Sequence, residues 1–137
     1  MLAPAVVIYD RGQAELVAGL GGILLSPPGF AGFGGCSWWW EIVAGLEVVS
    51  LLDCGDGAGR AVEAMRLGLR GVVLERKAAN FGVVAGIAAA CGVLLLDMAP
   101  PALDLAERGA DRRLVEWIDR GEHDAGDATG SENSRLV

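Results

Sequence analysis

Short apolar runs rich in Val, Ile and Leu recur along the chain, at Ala5 to Tyr9, Gly22 to Leu25, Val48 to Leu52, Gly71 to Leu74 and Val93 to Leu96. Their starts lie mostly about 20 residues apart, the spacing of βα units. The stretches between them carry a helical period. From Ala58 to Leu69, the residues Ala58, Ala61, Val62, Met65 and Leu69 share one face, and Arg60, Glu63, Arg66 and Arg70 turn largely outward. Gln13 to Leu20 predicts a shorter helix, Trp38 to Leu46 another behind Ser37 as N-cap, and Phe81 to Cys91 a fourth. A β-α-β-α-β-α-β-α-β order needs crossover connections, and right-handed crossovers make a parallel sheet covered on both faces. The strands show no polar alternation, as strands buried on two sides should not. The expected fold is therefore α/β, a single domain with a mainly parallel five-stranded sheet flanked by helices.

After Met98 the pattern changes. Ala99-Pro100-Pro101 is a break, and Leu103 to Arg120 is more polar, with Leu114, Val115 and Ile118 as its packing face. The predicted domain covers residues 1–120, and residues 121–137 read as a polar, acidic C-terminal tail of Gly, Asp, Ser and Asn. With 137 residues and 53% hydrophobic positions, there is material for one core and no room for a second domain.

Charge narrows the partners. The net charge of −7 is concentrated at one end: residues 97–137 hold ten acids and five arginines, against eight acids and six bases in residues 1–96. No basic stripe exists to neutralise a phosphate backbone, so nucleic acid is not an expected partner. A membrane is not expected either. Leu16 to Trp40 and Ala78 to Leu96 are uncharged and long enough to span. The first, however, is broken by Gly21-Gly22, Pro27-Pro28 and the glycine-rich run Gly29 to Gly35, and the second by Gly82, Gly86 and Gly92, ending in a β-type run. Cys36, Cys54 and Cys91 are widely spaced, and His123 is the one histidine, so no metal site is expected. Free cysteines in apolar runs fit core positions in a reducing compartment. No basic segment precedes an apolar stretch at the start, which makes the cytoplasm the expected location. Ten arginines against one lysine suggest a GC-rich bacterial source.

In open parallel sheets ligands bind beyond the carboxyl ends of the strands. The residues at those ends are Asp10 and Arg11, the loop Ser26 to Gly35, the turn Asp53 to Gly59, then Glu75-Arg76-Lys77, and Asp97. The candidate ligand contacts are Asp10, Ser26, Gly29, Trp38, Asp53, Asp56, Gly57 and Glu75; solvated strand ends and helix caps account for the same residues equally well. The loop Ser26 to Gly35 leads into a helix start whose amides favour an anion, or it is a crossover whose Phe30 and Phe33 pack back on the body. Trp38-Trp39-Trp40 are about 100° apart on a helix, so the three rings cannot share one core. At least one faces a pocket or partner, or two are buried and one lies on the surface. No catalytic constellation emerges, because Ser-His-Asp or Cys-His chemistry would have to use His123 in the polar tail.

The segment Leu51-Leu52-Asp53-Cys54-Gly55-Asp56-Gly57-Ala58-Gly59, with Glu75 closing the next strand, resembles the first motif of class I methyltransferases. That resemblance covers about 25 residues. It implies S-adenosylmethionine as ligand, Gly55, Gly57 and Gly59 admitting it to the backbone and Glu75 holding its ribose hydroxyls. Ile23 to Gly29 and Ala64 to Leu74 resemble parts of response-regulator receiver domains, with Ser26 where the phosphorylated aspartate belongs, which implies a degenerate relative and a flavodoxin-like strand order. The whole chain also resembles a small bacterial α/β family that shares the L-L-D-C-G-D turn, a resemblance that implies no activity. The residues identify no cofactor. Three function classes stay open: a small-ligand module, anionic or nucleotide-like in its preference; a non-catalytic interaction or scaffold module using Trp38 to Trp40; and an S-adenosylmethionine-binding fragment. Phe81 to Cys91 carries no charged side chain on any face. Either Leu103 to Arg120 covers its outer side, or a second copy does, and a homodimer through this helix is the expectation.

Overall fold

The branched apolar runs become short strands because such side chains pack well on a pleated surface. The computed structural model describes residues 3–127, with side-chain burial described through residue 121. In chain order the elements are β1 (Ala5–Val7), α1 (Arg11–Gly19), β2 (Ile23–Leu25), α2 (Phe30–Phe33), α3 (Cys36–Val43), β3 (Ser50–Asp53), α4 (Ala58–Leu67), β4 (Gly71–Val73), α5 (Phe81–Cys91), β5 (Leu94–Leu96), β6 (Ala102–Asp104) and α6 (Ala110–Asp127). Helix α1 starts on Asp10, whose side chain accepts from the Gln13 N–H. Helix α4 ends at Gly68, whose φ of 96° is the left-handed turn that a glycine supplies. Ser37 is not the cap of α3: the helix begins at Cys36, Gly35 holds the cap position, and no side chain caps it. Helix α6 runs on to Asp127, and residues 128–137 of the expected tail lie outside the described residues.

All six strands form one parallel sheet in the order β5-β4-β3-β2-β1-β6. The sheet thus has six strands rather than five, because Ala102–Asp104, three residues behind a Pro-Pro break, also pairs. The flavodoxin-like order is not found. It would set β1 between β2 and β3, whereas here β1 lies between β2 and β6 and the strands β1 to β5 step in one direction without reversal. Right-handed crossovers that keep one direction put every helix on one side of the sheet. The core shows this. Val6, Ile8, Leu24, Leu52, Val72, Leu74 and Leu103 pack with Ala14 and Val17 of α1, Trp39 and Ile42 of α3, Ala61 and Ala64 of α4, Val84 and Ala88 of α5, and Leu114 and Ile118 of α6.

The alternate strand residues Ala5, Val7, Ile23, Leu25, Leu51 and Val73 form a second buried cluster containing no residue of a helix. Leu94, Leu96, Ala99 and Ala102 pack against it. The strands are apolar on both sides, as expected, but helices do not cover the second side. It is buried because the sheet curls. Five strand spacings span about 24 Å, while the chain from Leu96 to Ala102 reaches about 22 Å at most and must also return from the end of β5 to the start of β6. A flat sheet cannot be bridged by that link, so the edges approach and the link crosses the concave face with Ala99 packed on it.

Strand spacing in this tight curl depends on Gly71. A Cβ there would collide with the Ser50 carbonyl oxygen and come within 2.9 Å of Leu51 Cδ2. Gly71→Ala is expected to destabilise by roughly 1–3 kcal/mol through overpacking, measured as a lower urea midpoint; a midpoint equal to that of the unsubstituted chain would contradict the tight β3–β4 contact.

Candidate functional site

The strands β1 to β5 step in one direction, and the carboxyl ends of the parallel strands share one rim, the end that carries function in closed βα barrels. Three neighbouring loops converge on that rim. Ser26, at the end of β2, is 1% exposed. Its hydroxyl accepts from the Asp53 N–H at 2.8 Å and donates to the Pro27 carbonyl at 3.1 Å, tying the β2 and β3 loops together. Asp53 Oδ1 accepts from the Gly55 N–H at 2.8 Å, an Asx turn that lets the chain reverse at Gly55, φ 57°. The Gly55 carbonyl then accepts from the Glu75 N–H at 2.8 Å, joining the β4 loop. A Cβ built on Gly55 would lie 3.8 Å from Glu75 Oε2 and 3.9 Å from the Gly29 Cα. Gly29, Asp53, Gly55 and Glu75 thus surround one point, with Ser26 beneath them as a latch.

Asp56 is exposed on the same turn. Gly57 holds the N-cap position of α4 without a capping side chain, and its hydrogen bond to the Cys54 carbonyl, 2.9 Å, leaves a Cβ only 3.1 Å from that oxygen. The N–H groups of the first turn of α4 have no intrahelical acceptor. No acidic residue occupies that turn. Beyond Glu75, Lys77 Nζ lies 3.6 Å from Glu75 Oε1. Arg76 pairs with Asp97 at 2.6 Å and stacks 5.5 Å from the Phe81 ring centroid. The rim therefore presents carboxylates, backbone donors and two lysine or arginine heads side by side.

Asp10 and Trp38 are not part of this group. They line a separate recess of about 230 Å³ with Tyr9, Arg11, Glu41 and Ile42. Of the tryptophans one is buried, not two: Trp39 is in the core, while Trp38 and Trp40 are 57% and 41% exposed. Trp40 lines a cavity of about 720 Å³, which lies at the opposite, amino-terminal ends of the strands among Val43, Leu46, Val48, Leu69 and Leu94. That cavity is larger than the rim recess but offers mainly apolar walls and none of the candidate residues.

The contribution of β6 was hidden in the sequence. Asp104, on that strand, accepts from the Tyr9 hydroxyl at 2.7 Å and from the Ala106 N–H at 2.8 Å. The signal that would have revealed it is the Leu103-Asp104 pair, an apolar residue followed by an acid, which repeats Leu52-Asp53. Cys36 and Cys54 are buried, and burial first of all raises both thiols, Cys54 to about 12, so neither supplies a thiolate nucleophile at neutral pH. Cys91 is exposed at the end of α5, not a core residue. Among the described residues no group of three His, Cys, Asp or Glu side chains is placed to hold a metal ion, and no helix is long and apolar enough to cross a membrane. No protein-family model matches the chain, and comparison with curated proteins and with solved structures gives no match.

Tyr9 is the one tyrosine of the chain, which makes its state readable. Partial burial, then the hydrogen bond to Asp104 and the charges of Asp104 and Glu107, push its phenol up to about 12. Since the folded value lies above the ordinary value near 10, the associated stability is complete below about pH 10 and is lost as pH rises through about 12. An ultraviolet titration of the folded chain should show tyrosinate only above pH 11, and Asp104→Asn should bring the midpoint down. An unshifted midpoint in the parent chain would refute the Tyr9–Asp104 bond.

Proposed function

We propose that the protein is a small-ligand-binding module whose site lies on the rim between β2, β3 and β4. The observation that carries this reading is the approach of the Glu75 carboxylate and of Gly29 to Gly55, 3.8 and 3.9 Å from where a Cβ on Gly55 would stand. A ligand seated there meets carboxylate acceptors at Asp53, Asp56 and Glu75 on one side and the free first-turn amides of α4 on the other. Carboxylates bind hydroxyl and amine donors, and a helix start binds an anion. A compound carrying both, a nucleotide or sugar phosphate, suits the pair. S-adenosylmethionine also belongs in this class, on the resemblance of Leu51–Gly59 to the methyltransferase turn. Ser26 serves such a site by holding Asp53, since its hydroxyl is already engaged. We read the module as a binding protein, because the two buried thiols and the latched serine leave no activated nucleophile on this rim, and the free cysteines and the ten arginines against one lysine are what support a bacterial cytoplasm as its setting.

A thermal-shift screen with nucleotides, sugar phosphates and S-adenosylmethionine tests the reading. A ligand at a hundredfold its dissociation constant should stabilise by about 2.7 kcal/mol, and Glu75→Gln should remove most of that gain. Gly59→Ala separates the members of the class. Gly59 has nothing within 4 Å of a built Cβ, so alanine should stabilise the helix by about 0.5–1 kcal/mol and weaken binding only of a ligand that lies against this backbone, as S-adenosylmethionine would. No response to any compound would reject the small-ligand reading in favour of the interaction module.

We also propose a homodimer through α5. Helix α6 packs over β1 and β6, where the Trp117 indole N–H donates to the Ala5 carbonyl at 2.8 Å. The outer face of α5 is left with Gly82, Val83, Gly86, Ile87 and Ala90 exposed, Val83 by 63%. The cover from within the chain that would have made a second copy unnecessary is thus absent among the described residues. Light scattering at micromolar concentration should give twice the chain mass, and Val83→Glu should halve it. A single-chain mass for the parent protein would refute the dimer.

A further inference from the structure

The Trp38 recess is independent of the β2–β4 site, and its chemistry is different. We propose that it binds an organic cation of side-chain size, an alkylated ammonium group. Two aromatic rings, Tyr9 and Trp38, and two acids, Asp10 and Glu41, line its volume of about 230 Å³. Aromatic faces attract cations through the ring quadrupole, and a weakly hydrated alkylammonium gains most from them.

The walls are held in place before any ligand arrives. The Tyr9 hydroxyl is bound to Asp104, and its backbone N–H donates to Gln13 Oε1 at 2.7 Å. Asp10 Oδ1 accepts from the Gln13 N–H at 2.8 Å, which completes a reciprocal cap and fixes the loop carrying both residues. Trp38 and Glu41 are three residues apart on α3 and so share one side of the helix.

The one cation in the lining does not offset the acids. Arg11 is committed to Glu15 at 3.2 Å and to the Ile42 and Ala44 carbonyls at 3.2 and 2.6 Å. It therefore neutralises the carbonyl-rich end of α3 rather than the recess. Glu41 is exposed and makes no ion pair among the described residues. Asp10 uses one oxygen as a cap and makes no ion pair among the described residues. The recess is aromatic on its walls and anionic at its edge, which repels a phosphate and favours an ammonium. The same group occurs free, as in choline, or on a methylated lysine of a peptide, and the recess recognises the shared ammonium.

Titration of the full chain with tetramethylammonium chloride, against sodium chloride at matched ionic strength, tests this by the four indole N–H resonances in an NMR spectrum. The Trp38 signal, assigned by its loss in Trp38→Phe, should move saturably, and those of Trp39 and Trp117 should stay. Glu41→Gln should weaken binding about fivefold. An equal response to sodium chloride, a uniform movement of all four indoles, or an unchanged affinity in Glu41→Gln would overturn the proposal. Choline and a trimethyllysine peptide then identify the source: tighter binding of one than of tetramethylammonium points to it, and equal binding of all three supports recognition of the ammonium group alone.

Discussion

The link from Asp97 to Pro101 is the constraint on which the rest of the architecture depends. It joins the two outermost strands of a six-stranded parallel sheet with five residues, too few to cross a flat sheet. The edges must therefore come toward each other, and that curl gives the concave side something to pack against. Val7, Leu25, Leu51 and Val73 are buried by neighbouring strands and by Ala99 of the link, without a second layer of helices. Folding one face onto itself lets α1, α3, α4, α5 and α6 all serve the other.

The same curl determines what the loops can do. With every strand parallel, all strand ends of one polarity share a rim, and residues far apart in sequence meet there. Tyr9 and Asp104 are 95 positions apart yet hydrogen bonded; Ser26 and Asp53 are 27 apart and form the latch between loops. Strands of three or four residues leave the polar ends close to the core. The buried hydroxyl of Ser26 is tolerable because both its donor and its acceptor capacity are used.

Local periodicity made the helices legible. Phe81–Cys91 runs over the range that the sequence predicts, and α4 starts at Ala58 and ends two residues before its expected limit. Both have a glycine directly behind them, in the left-handed conformation, as a stop signal. The five short apolar runs likewise each coincide with a strand, β3 reaching one residue further to Asp53. What the sequence hid is non-local. Strand order depends on the direction each crossover takes, and no three-residue pattern encodes it. The strand β6 was missed because Ala102-Leu103-Asp104 has one large apolar residue behind two prolines, so its identity rests on pairing with β1. Asp104 was missed with it. At the rim, the charged strand ends could be listed from the chain, but only the fold shows that Glu75 and Gly29 meet at Gly55 while Asp10 and Trp38 stand with Tyr9.

The tryptophan run shows how a local geometric rule and a non-local fold combine. Helix α3 turns about 100° per residue, so three consecutive indoles must enter three environments. Trp39 enters the core, where its ring meets the edge of Phe30 at 6.2 Å. Its indole N–H has no partner there, a cost on the order of 1–3 kcal/mol that the packing of so large a ring has to outweigh. Trp38 is left for the rim and Trp40 for the cavity at the other end, against Gly68. A single helix thereby touches both ends of the sheet and its core within one turn. Its carbonyl end is tied to α1 through Arg11. The helix that carries Trp38 is therefore held by its core residue Trp39, by Trp40 against Gly68 and by Arg11 at its carbonyl end, independently of anything that binds at the recess.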